Sequence, residues 1–305
     1  MPEGGPIYDL MTGGGTLPGA LDEFGPLQLV ALRHPRDAFV SRAKLAAEWR
    51  TLGYHAEPDY DAAIAEYEAL VHALEAAGAA ILWLPGDPGL TLDSLYVRDA
   101  AIVTPAGCVP AAMGKPARAG EPGIAGEAFA AAGLPVAGVI AGEGRLEGGD
   151  LVWLDAADVV VGLTYRSNDA GVAQLRALLG DHVAVHDFDM PHHKGPGDVF
   201  HLMSVWSPLD ADLSLVYSPL MPVRLRAMLL ARGHTLVDVP EEEFATMGCN
   251  VLATGSRMAI MVEGNPVTRA RLEAAGVAVT AIRADEISRK GEGGPTCLTR
   301  PLLRR

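Results

Sequence analysis

The chain has 305 residues, 49% of them hydrophobic and 20% charged, which supplies apolar material for a large core and gives no compositional case for disorder. A formal charge of −14 with no Lys/Arg run argues against a phosphate-backbone reader, and no apolar run reaches the roughly 18 to 20 residues of a membrane helix, so a cytoplasmic protein is expected. Three widely spaced cysteines, Cys108, Cys249 and Cys297, form no CxxC pair, which argues against a disulfide framework and a zinc knuckle and leaves room for a free thiol; the negative field favours a cationic small-molecule partner.

In chain order, the N-terminal "MPEGGPIYDLMTGGG" lacks a basic region followed by an apolar one, and "MTGGGTLPG" lacks the Lys-Ser/Thr of a phosphate loop; it reads as a flap over a pocket or as a disordered arm. "LQLVALRHP" (27–35) predicts an opening strand. From there one pattern recurs: an amphipathic helix, a glycine, an apolar strand. Gly78 ends "YEALVHALEAAG" before "AAILWLP", and Gly133 ends "AGEAFAAAG" before "LPVAGVI". Gly180, Gly233 and Gly276 repeat the arrangement before "HVAVHDF", "HTLVDVP" and "VAVTAIR", at spacings of about 43 to 55 residues. Each glycine stands where a helix C-terminus needs a left-handed residue.

Before each helix after the first lies a pair of strand-like runs with a polar or glycine turn: "SLYVRDAAIVTPAGCVPAAM", "GDLVWLDAADVVVGLTY", "VFHLMSVWSPLDADLSLVYSPL" and "NVLATGSRMAIMVEGN". The unit is strand, strand, helix, strand, and five units would close into a ring, with residues 293–305 returning to complete it. The expectation is one α/β domain over residues 1–305. An open α/β sheet with a βα repeat is the alternative.

A radial arrangement gathers equivalent ends of the units at one axis. Asp93 and Asp99 ("LDSLYVRD"), Glu147 and Asp150 ("RLEGGD") and His201 ("DVFHL") stand at matching points, and Cys297 follows in "GGPTC". A thiol, an imidazole and carboxylates on one axis are sufficient for nucleophilic attack on a bound cation. Alone, each has a plainer explanation: Cys297 as a buried inert thiol, "LEGGD" as a surface turn, His192 and His193 as loop residues. "HHKGPGDVFH" has neither HxH nor HExxH spacing, so zinc is not expected. Cys108 reads as a hairpin-turn residue and Cys249 as the opening of a strand, both packing.

The ordered set "LDSLYVRDAAIVTPAG", "ARAGE", "EGRLEGGD", "VGLTYRSN", "FHLMS", "GCNVL" and "GGPTCLTRP" resembles the guanidine-modifying superfamily of dimethylarginine dimethylaminohydrolases, arginine deiminases and amidinotransferases over nearly the whole chain. The resemblance implies a five-bladed α/β propeller of ββαβ units. It implies Cys297 as nucleophile, His201 as proton donor and then activator of water, and Glu147 and Asp99 as ligands of the guanidinium. Asp93 would lie near the substrate α-amino group, with Arg118 and Arg166 on the α-carboxylate. No cofactor is implied; nucleic acid and membrane are not expected as partners, and a homodimer fits the family.

Two departures bear on substrate. The deiminases and amidinotransferases have His-x-Asp where this chain has His201-Leu202-Met203, and an apolar Met203 could accept an N-alkyl group, which points to the dimethylarginine hydrolases. Those hydrolases often have Glu-Asp where this chain has Arg98-Asp99, a form nearer the deiminases. The expected activity is cofactor-independent hydrolysis of Nω,Nω-dimethylarginine to citrulline and dimethylamine. The alternatives are arginine deimination or dihydrolysis releasing ammonia, amidino transfer, and a guanidine-binding protein without catalysis.

Overall fold

The computed structural model describes residues 19–305. The glycine-rich segment 11–19, read as a flap, lies outside them except for Gly19. The described chain is a mixed α/β protein built from five small sheets. These comprise β1 (Leu27–Leu32), β2 (Ala80–Trp83), β3 (Ala101–Thr104), β4 (Gly107–Pro110), β5 (Leu151–Asp155), β6 (Asp158–Leu163), β7 (Ala184–Asp189), β8 (Trp206–Asp210), β9 (Leu213–Val216), β10 (Thr235–Asp238), β11 (Leu252–Gly255), β12 (Met258–Val262), β13 (Ala278–Ile282) and β14 (Arg300–Arg304). The sheet orders are β14-β1-β2, β3-β4, β5-β6-β7, β8-β9-β10 and β11-β12-β13. In each three-stranded sheet an antiparallel pair is extended by a parallel third strand, which the chain can reach only by a crossover.

The crossovers are the helices of the repeat: α1 (Arg42–Leu52) and α2 (Tyr60–Ala76) in the first unit, then α3 (Glu121–Ala131), α4 (Asp169–Leu179), α5 (Val223–Ala231) and α6 (Pro266–Ala274). α2 shows why they form. Asp59 caps it by accepting from the Ala62 amide, and Ala63, Tyr67, Leu70, Val71 and Leu74 make the buried stripe of a 3.6-residue period. Gly78, Gly133, Gly233 and Gly276 follow their helices at φ between 85° and 93°, as the pattern predicted. Gly180 also has positive φ, 66°, but with ψ of −168° it is an extended mirror conformation rather than a left-handed turn.

One predicted strand is largely missing. "LPVAGVI" reduces to a single parallel bridge, Cys108 to Val136, so the second sheet has two strands. The bridge uses the Cys108 amide to the Pro135 carbonyl and the Ala137 amide to the Cys108 carbonyl; Pro135 on one side and Pro110 on the other have no amide to donate the next bond, so the ladder cannot propagate. Cys108 sits inside β4 rather than in the turn, and Cys249 precedes β11; both are buried.

The core is divided into five hydrophobic clusters, each between successive units. Leu29, Ala31 and Leu303 pack on Val103 and Phe129; Ile102 and Val109 on Trp153 and Leu175; Val152 and Val160 on Trp206 and Leu225. Leu213 and Leu215 pack on Ala259 and Leu272, and Ile260 and Ile282 on Leu70 and Leu74, which joins the fifth unit to the first. β8 also lies against β11, β11 against β1, and β14 against β3, so the segments leading into the first strands of the units are brought close together.

Candidate active site

Those entry segments carry the candidate residues singled out in the sequence. Short 3-10 turns at Leu92–Leu95, Gly148–Asp150 and Leu202–Ser204 lie just before β3, β5 and β8. Glu147 and His201 occupy the extended residue preceding two of these turns, and Asp99 lies between the first turn and β3. Cys297 lies in the turn leading into β14. Gly149 explains part of the "GGD" spacing: a Cβ there would stand 2.5 Å from Asp99 Oδ1 and 2.9 Å from His201 Cγ, so only glycine lets these segments close together. Gly294 is the counterpart beside the thiol, where a Cβ would fall 2.5 Å from Asn250 Oδ1.

Glu147, fully buried, accepts from His201 Nε2 at 2.7 Å and from the Gly114 amide at 2.7 Å, with Arg166 Nη1 3.5 Å away. Burial works against its charge, but the His201 bond and the charges of His201, Arg166 and Arg118 prevail and hold the carboxyl well below the usual range. Burial likewise opposes a charge on His201. Asp99, Asp150 and the Glu147 bond outweigh it, and the imidazole is raised to about 9. Asp150 accepts from Thr164 Oγ1 and Ser167 Oγ, both at 2.7 Å, and from the Leu202 amide at 3.0 Å, which anchors the residue next to His201; burial raises its own carboxyl to about 6.

Asp99 is 3% exposed. Its Oδ2 takes Arg118 Nη1 at 2.6 Å; its Oδ1 has no hydrogen-bond partner among the described residues and lies 4.0 Å from His201 Nε2. Burial and then the charge of Asp99 push the Cys297 thiol up, against hydrogen bonds from Asn250, Thr296 and the Gly294 amide. The Asn250 amide stands 3.1 Å from Sγ.

Cys297, His201, Glu147 and Asp99 therefore belong to one neighbourhood. Arg166 reaches it through Glu147. Asp93 is held by Lys115 Nζ at 2.6 Å. Arg118 is differently employed than a free substrate clamp would be. Nε and Nη2 hold both oxygens of buried Glu121 at 2.8 Å, Nη2 also bonds the Tyr96 carbonyl, and Nη1 holds Asp99, which occupies four of the five N–H donors. Met203, read as space for an N-alkyl group, is instead packed with Val152, Leu202 and Trp206. It is apolar because it belongs to a core.

Asn250, Glu121 and Lys115 were given no role in the sequence. The "GCNVL" motif contained Asn250, but nothing in it indicates an amide aimed at a thiol 47 residues on.

Among the described residues, Asp99, Glu147 and His201 present ligand atoms within 4.8 Å of one another, a set able to hold a metal ion and different from the His192/His193/His201 grouping weighed in the sequence. A divalent ion there would have to displace the imidazolium proton and compete with two guanidinium groups for the same carboxylates. A flat cation with N–H edges can use the vacant Asp99 oxygen without disturbing those pairs. A cavity of about 290 Å³ adjoins the site, lined in part by Phe200, Ser204, Phe244, Met247, Asn250 and Glu292.

Among the described residues, no helix is long and apolar enough to cross a membrane. The chain is 28% identical to the uncharacterized protein YkgA of Bacillus subtilis over 92% of its own length and 94% of that protein's. It is 29% identical to the arginine deiminase of Mycobacterium marinum over 52% of its length, spanning about half (46%) of that relative. In three dimensions it matches dimethylarginine dimethylaminohydrolase from Pseudomonas aeruginosa, a cysteine-to-serine mutant complexed with citrulline, with a TM-score of 0.73 at 22% identity, covering 92% of this chain and 100% of that one. The same α/β fold is thereby shared. The model of the family described as "N,N dimethylarginine dimethylhydrolase, eukaryotic" matches residues 47–304. The chain belongs to that family, within the guanidino-modifying superfamily.

Proposed function

We propose that the protein hydrolyses a C–N bond of a guanidino compound, with Nω,Nω-dimethylarginine converted to citrulline and dimethylamine. The observation that carries the proposal is the vacant Oδ1 of buried Asp99 beside the His201–Glu147 pair and the thiol it perturbs. A buried carboxylate oxygen without a donor is costly, and a guanidinium edge relieves that cost while placing its carbon near sulfur.

Cys297 Sγ, as thiolate, adds to the guanidinium carbon. The tetrahedral adduct collapses as the amine departs with a proton from His201, which is charged at neutral pH because Asp99, Asp150 and Glu147 overcome its burial. Cys297 is left as an S-alkyl thiouronium. Water gives a proton to the now neutral imidazole and adds to the same carbon; expulsion of the thiolate yields the urea product. The substrate cation offsets the Asp99 charge that holds the free thiol protonated, so thiolate forms when substrate is bound. Glu147 and Asp99 grip the guanidinium, Arg166 and Asp93 serve the amino-acid end, and Arg118 acts there mainly by orienting Asp99. The reading takes the five units as blades around one axis, consistent with core clusters that join each unit to the next.

Family membership supports the dimethylated substrate. Arginine deimination is the second reading, favoured by the deiminase relatives and by Arg98, which is fully buried and paired with Glu23 at 2.6 Å, as in a structural Arg-Asp motif rather than a second guanidinium acid. Rapid-quench mass spectrometry of the intact protein should find a Cys297 adduct, with dimethylamine released stoichiometrically with citrulline. Ammonia from arginine alone would select the second reading, and a Cys297→Ser variant with intact turnover would remove both.

A further inference from the structure

Asp198, three residues before His201, borders the 290 Å³ cavity and a second one of about 250 Å³. Its side chain is only 7% exposed, and Oδ2 has no hydrogen-bond partner among the described residues. The nearest basic atom, His193 Nε2, is 3.8 Å away, too far for a hydrogen bond. The walls around it are aromatic and apolar. The His193 ring lies 5.4 Å from the Phe200 ring and 6.1 Å from that of Phe244, and Met247 completes this side. The other charges of the cavity settle among themselves: Glu292 is 3.0 Å from His55 Nε2 and 3.8 Å from Lys194 Nζ. Among the described residues, Asp198 remains as the acid whose only ionic neighbour is the His193 imidazole and whose Oδ2 has no hydrogen-bond donor.

A cavity with aromatic walls and a carboxylate that lacks a hydrogen-bond donor on one oxygen matches an alkylammonium ion, whose N–H groups need an acceptor and whose carbons need apolar contact. The cavity also adjoins the catalytic groups. Phe200 precedes His201, Ser204 Oγ accepts from the His201 amide, and Asn250 donates to Cys297 Sγ.

We propose that this cavity is a binding site for an organic ammonium group. Its source rests on the guanidine-hydrolase reading: either the amine that leaves with the His201 proton and takes up one more from water, or an ammonium tail carried by the substrate itself.

Calorimetry on the full-length Cys297→Ser variant, which removes turnover, tests the site with butylammonium and dimethylammonium chlorides against sodium chloride. Saturable binding of butylammonium is expected, weakened at least ~10-fold by Asp198→Asn and unchanged by Asp181→Asn on the surface. Met247→Lys, which places a fixed ammonium at the wall, should abolish binding if Asp198→Asn fails to fold. Absence of saturable binding, or equal binding to the wild type, Asp198→Asn and Met247→Lys, overturns the proposal.

Turnover assays on the Cys297-containing protein separate the sources. Product inhibition by dimethylammonium that Asp198→Asn relieves assigns the released amine. A KM for 4-guanidinobutylamine below that for arginine, raised selectively by Asp198→Asn, assigns the tail. Ammonium binding without turnover of any guanidine would leave the site standing and remove the hydrolase reading; turnover with no Asp198-dependent ammonium binding would do the reverse.

Discussion

Glu147→Gln tests the electrostatics of the site most directly, because it keeps shape and removes one charge. Glu147 and His201 are joined by a 2.7 Å bond in a nearly dry setting. The imidazole rises from its ordinary 6.5 to about 9 although burial pulls it down. At ~1.4 kcal/mol per pH unit the gap favours imidazolium by ~3 kcal/mol. Asp99 and Asp150 contribute to that gap, and Coulomb attraction to Glu147 at that separation, with an effective dielectric of ~20, is ~6 kcal/mol before desolvation, so this acid adds a large share beside them. With Gln in its place, burial is opposed only by Asp99 and Asp150, and His201 should fall by ~2 pH units, to about 7 or below.

The assay is 1H–15N correlation of imidazole signals between pH 5 and 10, with a His201→Asn spectrum for assignment. A wild-type value near 6.5, or a Glu147→Gln value within ~0.5 of wild type, refutes the argument. Stability gives an independent check. The raised His201 stabilises fully below 6.5 and loses its contribution as pH rises through about 9; the lowered Glu147 stabilises above its ordinary 4.5 and loses its contribution as pH falls through its depressed value. Urea unfolding should therefore show the two proteins furthest apart, by ~3 kcal/mol, between about pH 5 and 6.5, and converging at pH 10 and below pH 3.

Asp99→Asn removes the charge that, after burial, does most to hold the Cys297 thiol protonated, so iodoacetamide should alkylate the variant ~3 to 10 times faster at pH 7. An unchanged or slower rate would mean that the thiol does not feel Asp99. Gly149→Ala must displace Asp99 or His201, and should lower kcat ~100-fold while costing ~1 to 3 kcal/mol in denaturant unfolding; full activity would show that these segments need not close together. Arg118→Lys cannot reproduce the fork around Glu121 and should unfold ~2 to 4 kcal/mol more easily without any substrate. A wild-type denaturation midpoint would show that the fork has no structural weight.

What could be read from the sequence was whatever a local rule enforces. Gly78, Gly133, Gly233 and Gly276 were legible because a helix end needs positive φ, and the alternating runs around them because each sheet has a buried face. The third strand of the second unit does not form although its apolar pattern is genuine, because hydrogen bonding is decided by Pro135 and Pro110, residues the pattern tolerates. Of the site, Cys297, His201, Glu147 and Asp99 were visible as chemistry-bearing residues at repeating positions. The partners that set their charge were not. Glu121, three residues on, occupies Arg118, and Asn250 faces Sγ across a spacing that carries no signal; Asp150 was visible as a carboxylate at a matching point, but not its bond to the Leu202 amide. Met203 failed for a related reason: apolar character cannot tell a lining residue from a core one.

Under the proposed reaction, the charges of the site couple a bound guanidinium to the state of the Cys297 thiol. Asp93, Asp99, Glu121 and Glu147 are buried and paired with Lys115, Arg118, Arg166 and His201, and buried Asp150 and Arg33 act on His201 and Glu121, five acids beside five cations when all are ionised. The oxygen without a hydrogen-bond donor on Asp99 marks where negative charge is not met by a donor. A thiolate would add a second negative charge beside Asp99 in a buried setting, and burial first, then Asp99, hold Cys297 protonated. A guanidinium adds one positive charge at Asp99, and loss of the thiol proton then returns the site to its resting charge. A neutral ligand of the same shape gives no such compensation and should leave Cys297 protonated, so the site distinguishes a reactive cation from its urea product by charge before shape.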